Sequence, residues 1–175
     1  MKSFQRIGIA LGLAVSFMAV NLSSFADDRD DRTSLRGVQG VRIVVEKLNP
    51  EVVKDGLTEG QIRADVDLKL SVAGIKVLSE EESRKEKGRP WLYVNAAVMK
   101  TEGGSYVYTI FIEFNQDVRL VRDPDIEVST GTWEVVHTGM TDKLSHIRER
   151  VKTHVDEFVN AFLSVNPKQG QTESD

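Results

Sequence analysis

Three histidines, His137, His146 and His154, are the first residues to test for chemistry. His146 and His154 stand eight apart on a helical stretch, not the four that puts two imidazoles on one metal ion. His146 falls opposite the apolar stripe of that helix and reads as a solvated residue. His154 borders the stripe and reads as a half-buried packing residue. His137 ends a strand, and its position alone assigns it no role. Arg122, Asp123, Glu134 and His137 are the one group in which a carboxylate pair and a base could do acid–base work. Arg122 and Asp123, with Arg119 and Asp125, otherwise read as a charged turn with surface ion pairs. No G-x-S-x-G elbow is present. Gly103-Gly104 precedes a strand rather than a helix, so it reads as a hairpin turn and not as a phosphate cradle. The carboxylates at Asp27, Asp28, Asp30 and Asp31 lack the glycine turn and terminal glutamate of a calcium loop. No catalytic residue, metal ligand or cofactor site is therefore assigned.

What remains is a set of aromatic residues on strands: Trp91, Tyr93, Tyr106, Tyr108, Phe111 and Trp133. Strand preference alone enriches such residues, and protein interfaces also favour them. Tyr93, Phe111 and Trp133 form the candidate interaction surface, on condition that they face away from the helices.

The elements that must position them are legible in patches. Val41, Ile43 and Val45 share one face of a first strand over 38–48. Thr58 and Gln61 form a capping-box pair, with Leu57 and Ile62 as the staple. Ile62, Val66, Leu70 and Ala73 make one stripe, and Gly74 suits the left-handed C′ position. A helix over 59–73 follows, then a short strand over 75–78. The charged stretch 79–90 reads as a mobile surface loop. Leu92, Val94, Ala96 and Val98 alternate with polar or small residues, as do Tyr106, Tyr108, Ile110, Ile112 and Phe114. Asp123-Pro124-Asp125 is a turn signal, and Gly131 marks a bulge in the strand that follows. Leu144, Ile147, Val151, Val155, Phe158 and Phe162 form an amphipathic stripe on a helix over 142–165, which Thr141 is placed to cap and Pro167 to end. The expected fold is α+β, a two-layer sandwich with a mostly antiparallel sheet of about five strands and two helices on one face. Residues 37–166 form this single domain, 27–36 a flexible acidic spacer and 167–175 a disordered tail.

The amino terminus carries an address. Lys2 and Arg6 precede an uncharged, mostly apolar run of 14 residues, Ile7 to Val20, and Ser24-Phe25-Ala26 supplies the small residues of a signal-peptidase site. A membrane span needs about 20 residues, so 1–26 reads as a signal peptide cleaved after Ala26. The chain has no cysteine. That excludes disulfides, thiol chemistry and a lipid on an amino-terminal cysteine. Removing Lys2 and Arg6 takes the formal net charge from −4 to −6, which argues against nucleic acid or an anionic membrane as partner.

The segment Leu57-Thr58 through Ala73-Gly74-Ile75-Lys76-Val77-Leu78 resembles the helix-to-strand step of the TolB amino-terminal domain. Similar steps occur in curli-secretion and penicillin-binding-protein activator domains. That resemblance implies a small interaction module without catalysis, and it carries over no functional residue. The stretch from Leu120-Val121-Arg122-Asp123-Pro124 through Trp133 to Val165-Asn166-Pro167 resembles small exported bacterial proteins of unknown function. The expected function is an exported, soluble, periplasmic interaction module of the cell envelope that binds a partner by its sheet edge or open sheet face. The alternative is a small-ligand binder with a pocket between the sheet and the carboxy-terminal helix. An enzyme is the reading with least support.

Overall fold

The computed structural model describes residues 29–167. The expected signal peptide and all but the first residue of the expected tail lie outside the described residues. The elements run α1 (Arg29–Ser34), β1 (Gly40–Val45), α2 (Pro50–Lys54), α3 (Glu59–Ala73), β2 (Lys76–Val77), α4 (Glu80–Lys85), β3 (Trp91–Lys100), β4 (Tyr106–Leu120), β5 (Asp123–Thr141) and α5 (Leu144–Val165). They build an α+β fold on a five-stranded sheet in the order β2-β1-β3-β4-β5. β1 is parallel to both of its neighbours, and β3, β4 and β5 form an antiparallel meander.

Alternation along the strands creates the core. Leu92, Val94, Ala96 and Val98 are buried on β3, and they pair with Phe114, Ile112, Ile110 and Tyr108 of β4, all buried too. Trp133 and Val135 of β5 extend the same face. Ile62, Val66 and Leu70 of α3 close over it together with Ile147, Val151, Val155 and Phe158 of α5. One face of the sheet is thereby dry; on the other, α4 meets Arg42 and Lys76 at the β1–β2 edge, and no helix of the described residues lies over β3, β4 and β5 there, as antiparallel sheets often allow. Phe158 centres the packing, stacked on Phe114 at 5.9 Å between ring centroids and meeting Trp133 edge-on at 5.3 Å.

Helix α3 forms where its local signals put it. Thr58 Oγ1 accepts from the Gln61 N–H at 3.2 Å, and Gln61 Oε1 accepts from the Thr58 N–H at 3.1 Å. Gly74 adopts φ 79°, and the Ile75 N–H reaches back to the Leu70 carbonyl at 2.9 Å. The start of α5 differs from expectation. Its N-cap is Lys143, which makes no side-chain cap, while Thr141 Oγ1 accepts from the Lys143 N–H one step earlier.

Three stretches depart from the sequence reading. The expected spacer over 27–36 is helical from Arg29, and Leu35 is fully buried in the core. A single leucine among charges carries no periodic signal, yet it seats the segment: Ser34 Oγ donates to the Thr132 carbonyl at 3.1 Å. The expected loop over 79–90 contains α4, whose Ser79–Glu82 capping box and buried Ser83, bonded to the Pro90 carbonyl, hold it against the sheet edge. The turn expected at Asp123-Pro124-Asp125 falls earlier. Leu120 pairs with Asp123, so the chain reverses at Val121-Arg122 and β5 begins at Asp123. Beyond Asn115, β4 and β5 continue as a two-stranded arm with β3 no longer alongside. Arg89 forms an ion pair with Asp117 at its base.

Candidate interaction surface

The residues that alternate with the core positions form the outward face of the sheet. Cross-strand pairing places them in rows: Val44, Tyr93, Glu113 and Glu134, then Asn95, Phe111 and Val136, then Ala97, Thr109 and Thr138, then Met99, Val107 and Met140. No helix covers these rows among the described residues. Met99 is 62% exposed, Val136 45% and Met140 71%. Tyr93 and Phe111, two of the three predicted surface residues, sit at its middle as diagonal neighbours. Their rings meet edge-to-face at 6.2 Å and 68°. The Tyr93 hydroxyl donates to Glu46 Oε2 at 2.9 Å. Partial burial, then that carboxylate, push its pKa upward, so it stays a neutral donor.

Trp133, the third predicted surface residue, is a correction. It is 3% exposed and lies on the core face against Phe158. The cause is the bulge. Asn115 pairs with Gly131 while Phe114 pairs with Trp133, so Thr132 is an extra residue on β5. In unbroken alternation Gly131 and Trp133, two residues apart, would share a face; the bulge leaves Gly131 outward beside Glu113 and turns Trp133 to the core.

The outward face also carries charge that sequence reasoning missed. Glu113 and Glu134 are direct cross-strand partners. Glu113 Oε2 accepts from Asn115 Nδ2 at 2.9 Å. Among the described residues, no cation forms an ion pair with Glu46, Glu113 or Glu134, and like charges set opposite one another on a sheet repel. Arg42, one row further along, is already engaged by Glu80 at 3.5 Å. The face is therefore acidic at one end and apolar at the other. Strand parity was the signal that would have found it, once pairing partners were known.

The group proposed for acid–base work is scattered. Arg122 lies at the tip of the arm, with Asp123 at the start of β5. Glu134 faces outward and His137 faces the core side, opposite Ile110. His137 meets His154 of α5 at 5.1 Å between ring centroids. Burial, then the charges of His154 and Arg150, lower the His137 pKa, so this imidazole is neutral at pH 7. His154 Nδ1 bonds Glu157 at 2.9 Å, and its Nε2 is buried without a partner among the described residues. His146 is exposed on the first turn of α5 and bonds Thr141 Oγ1 at 3.1 Å. No group of three or more histidines and carboxylates is placed to hold a metal among the described residues.

A depression of about 350 Å³ opens between the sheet and the amino-terminal half of α5. Its lining includes Tyr108, Thr141, His146, Glu149, Arg150 and Thr153. Arg150 forms no ion pair among the described residues, and its charge reaches His137. The residues come from β4, β5 and α5, so no local pattern announced them.

No protein-family model matches the chain, and no curated protein matches it. The resemblance to the TolB amino-terminal domain thus has no family match behind it. Among solved structures, a PelC dodecamer from Paraburkholderia phytofirmans is similar over 70% of this chain and 88% of that one, with 12% identity and a TM-score of 0.41. A minor lipoprotein from Acinetobacter baumannii is similar over 71% of this chain and 94% of that one, with 7% identity and a TM-score of 0.31. Among the described residues, no helix is long and apolar enough to cross a membrane.

Proposed function

We propose that the chain is an exported interaction module of the bacterial cell envelope, and that it docks a partner protein on the outward face of β3, β4 and β5. The observation that carries this reading is the uncovered face itself. It joins Tyr93 and Phe111 to Met99, Val107, Val136 and Met140, with no helix over them among the described residues. Aromatic and methionine side chains are enriched at protein interfaces, and methionine adapts its shape to what packs on it. The export step rests on the charged start, the apolar run and the small residues before Asp27.

The test uses a photo-crosslinking amino acid at Thr109, on the face, or at Lys152, on α5, in the full-length protein expressed in its native host. One crosslinked envelope protein from Thr109 and none from Lys152, abolished by Phe111→Ala, supports the module. Equal products from both positions, or none from abundant folded protein, reject it. Amino-terminal sequencing of the same product should begin at Asp27.

A second reading is a small anionic ligand in the depression beside α5. It is favoured by the Arg150 guanidinium, which forms no ion pair among the described residues and shares the lining with Tyr108, Thr141, Thr153 and the Glu149 carboxylate. Ligand-detected titration with small carboxylates and phosphates should then respond to Arg150→Gln. An unchanged response removes this reading.

A further inference from the structure

We infer that the partner of the outward face is an amphipathic helix that is apolar at one end and basic at the other, supplied by a different protein. The inference rests on the reading of this face as a docking surface and adds the chemistry of what docks there.

Charge decides the occupant. The apolar end, built from Phe111, Val136, Met99, Val107 and Met140, calls for aliphatic or aromatic side chains. The other end presents Glu113 and Glu134, and Glu46, which follows β1 level with Asn95, reaches back to the Tyr93 hydroxyl beside them. Glu113 and Glu134 are directly opposed across β4 and β5, and no cation of the described residues forms an ion pair with any of the three carboxylates. Lysine or arginine side chains at the matching end of a partner would relieve that repulsion and gain charge-assisted hydrogen bonds. A second copy of this chain is disfavoured on the same ground. Two of these faces brought together present carboxylates to carboxylates or to the apolar end, and these rows hold no cation; Arg42, one row beyond, is engaged by Glu80. An anionic lipid surface is repelled for the same reason.

Size is consistent with a helix. Three strands with β1 alongside, at about 4.8 Å spacing, span roughly 15 Å, and the alternating rows run roughly 20–27 Å along the strands. A helix is about 10–12 Å across, and one of about 18 residues is roughly 27 Å long. One such helix laid along the strands reaches from the methionines to the glutamates.

The experiment uses isotope-labelled protein of residues 27–175 and two synthetic helical peptides of about 18 residues, the length that matches the face. Both carry the same leucine stripe. One has lysines at one end and the other has glutamates there. The lysine peptide should shift the amide resonances of Asn95, Thr109, Phe111 and Thr138. Its affinity should fall about five-fold in the Glu113→Gln/Glu134→Gln double variant, as two surface ion pairs allow. The same weakening should follow when salt is raised from about 50 to 300 mM. If the glutamate peptide binds this face as tightly, the docking surface stands and the basic partner is overturned. If neither peptide shifts these amides at millimolar concentration, or if both map to the depression beside α5, the inference and the docking surface fall together. A concentration-dependent dimer in sedimentation, lost with Phe111→Ala, also overturns the inference, because a second copy then takes the face.

Discussion

Two glycines with no side chain to pack show how individual positions hold this fold. A Cβ on Gly40 would lie 2.6 Å from the backbone carbonyl oxygen of Lys76, across the β1–β2 pairing, and a backbone cannot swing aside. A Cβ on Gly131 would come 2.1 Å from Glu113 Oε1, but that carboxylate ends a flexible chain on the open face. Gly40→Ala should therefore destabilise the domain by about 2–3 kcal/mol and Gly131→Ala by less than about 1 kcal/mol, read as urea midpoints. Equal losses would mean that Glu113 is held more firmly than its half-exposed position suggests. At His137 the sign of a pH effect can be worked out. Burial and the neighbouring cationic groups lower its pKa in the folded state from 6.5. The unfolded chain then binds the proton more readily, so stability is full above 6.5 and declines as pH falls through and below that value. Glu157 of α5 opposes the shift without cancelling it. His137→Gln should flatten the fall in urea midpoint between about pH 7 and 5, because the group that must charge on unfolding is gone. A parallel fall in both proteins would assign the slope to other groups.

At the scale of elements, legibility followed how local the stabilising contacts are. Helix α3 was readable to its ends because its cap, staple and left-handed glycine lie within its own sequence. Helices α1, α2 and α4 are five or six residues long. Isolated helices of that length do not persist in water. They exist here because Leu35, Val52 and Ser83 are seated in the folded domain, which a window of sequence does not show. The caps offer a paired test. Thr58→Ala should cost about 1 kcal/mol, since it strips the N-terminal partner of α3. Lys143→Ser should gain about 0.5–1 kcal/mol, since α5 starts without a side-chain cap. Thermal denaturation monitored by circular dichroism reads both, and a neutral Lys143→Ser would show that Thr141 already serves the end of α5.

Across the whole molecule, the two faces of one sheet have different physical roles, and substitutions should separate them. Phe158 lies between Phe114, Trp133 and Phe162 in the core. Phe158→Ala should cost about 3–5 kcal/mol through lost burial and the cavity it leaves. Phe111 sits on the uncovered face, half exposed, so Phe111→Ala should cost about 1 kcal/mol, the scale of strand preference. If Phe111→Ala proves as damaging as Phe158→Ala, the outward face is part of the fold rather than a surface kept for a partner.

The sequence by itself determined the α+β class, the strand alternation and the limits of α3, because each depends on spacing within one segment. It also marked Tyr93 and Phe111 as strand aromatics with their face left open, since alternation separates faces without saying which one the helices cover. The tertiary structure decided the rest. Strand order put Glu113 opposite Glu134, the extra residue Thr132 turned Trp133 inward, and α5 brought His154 against His137. Those arrangements depend on which segments meet across long stretches of chain, and only the folded packing of both layers selects them.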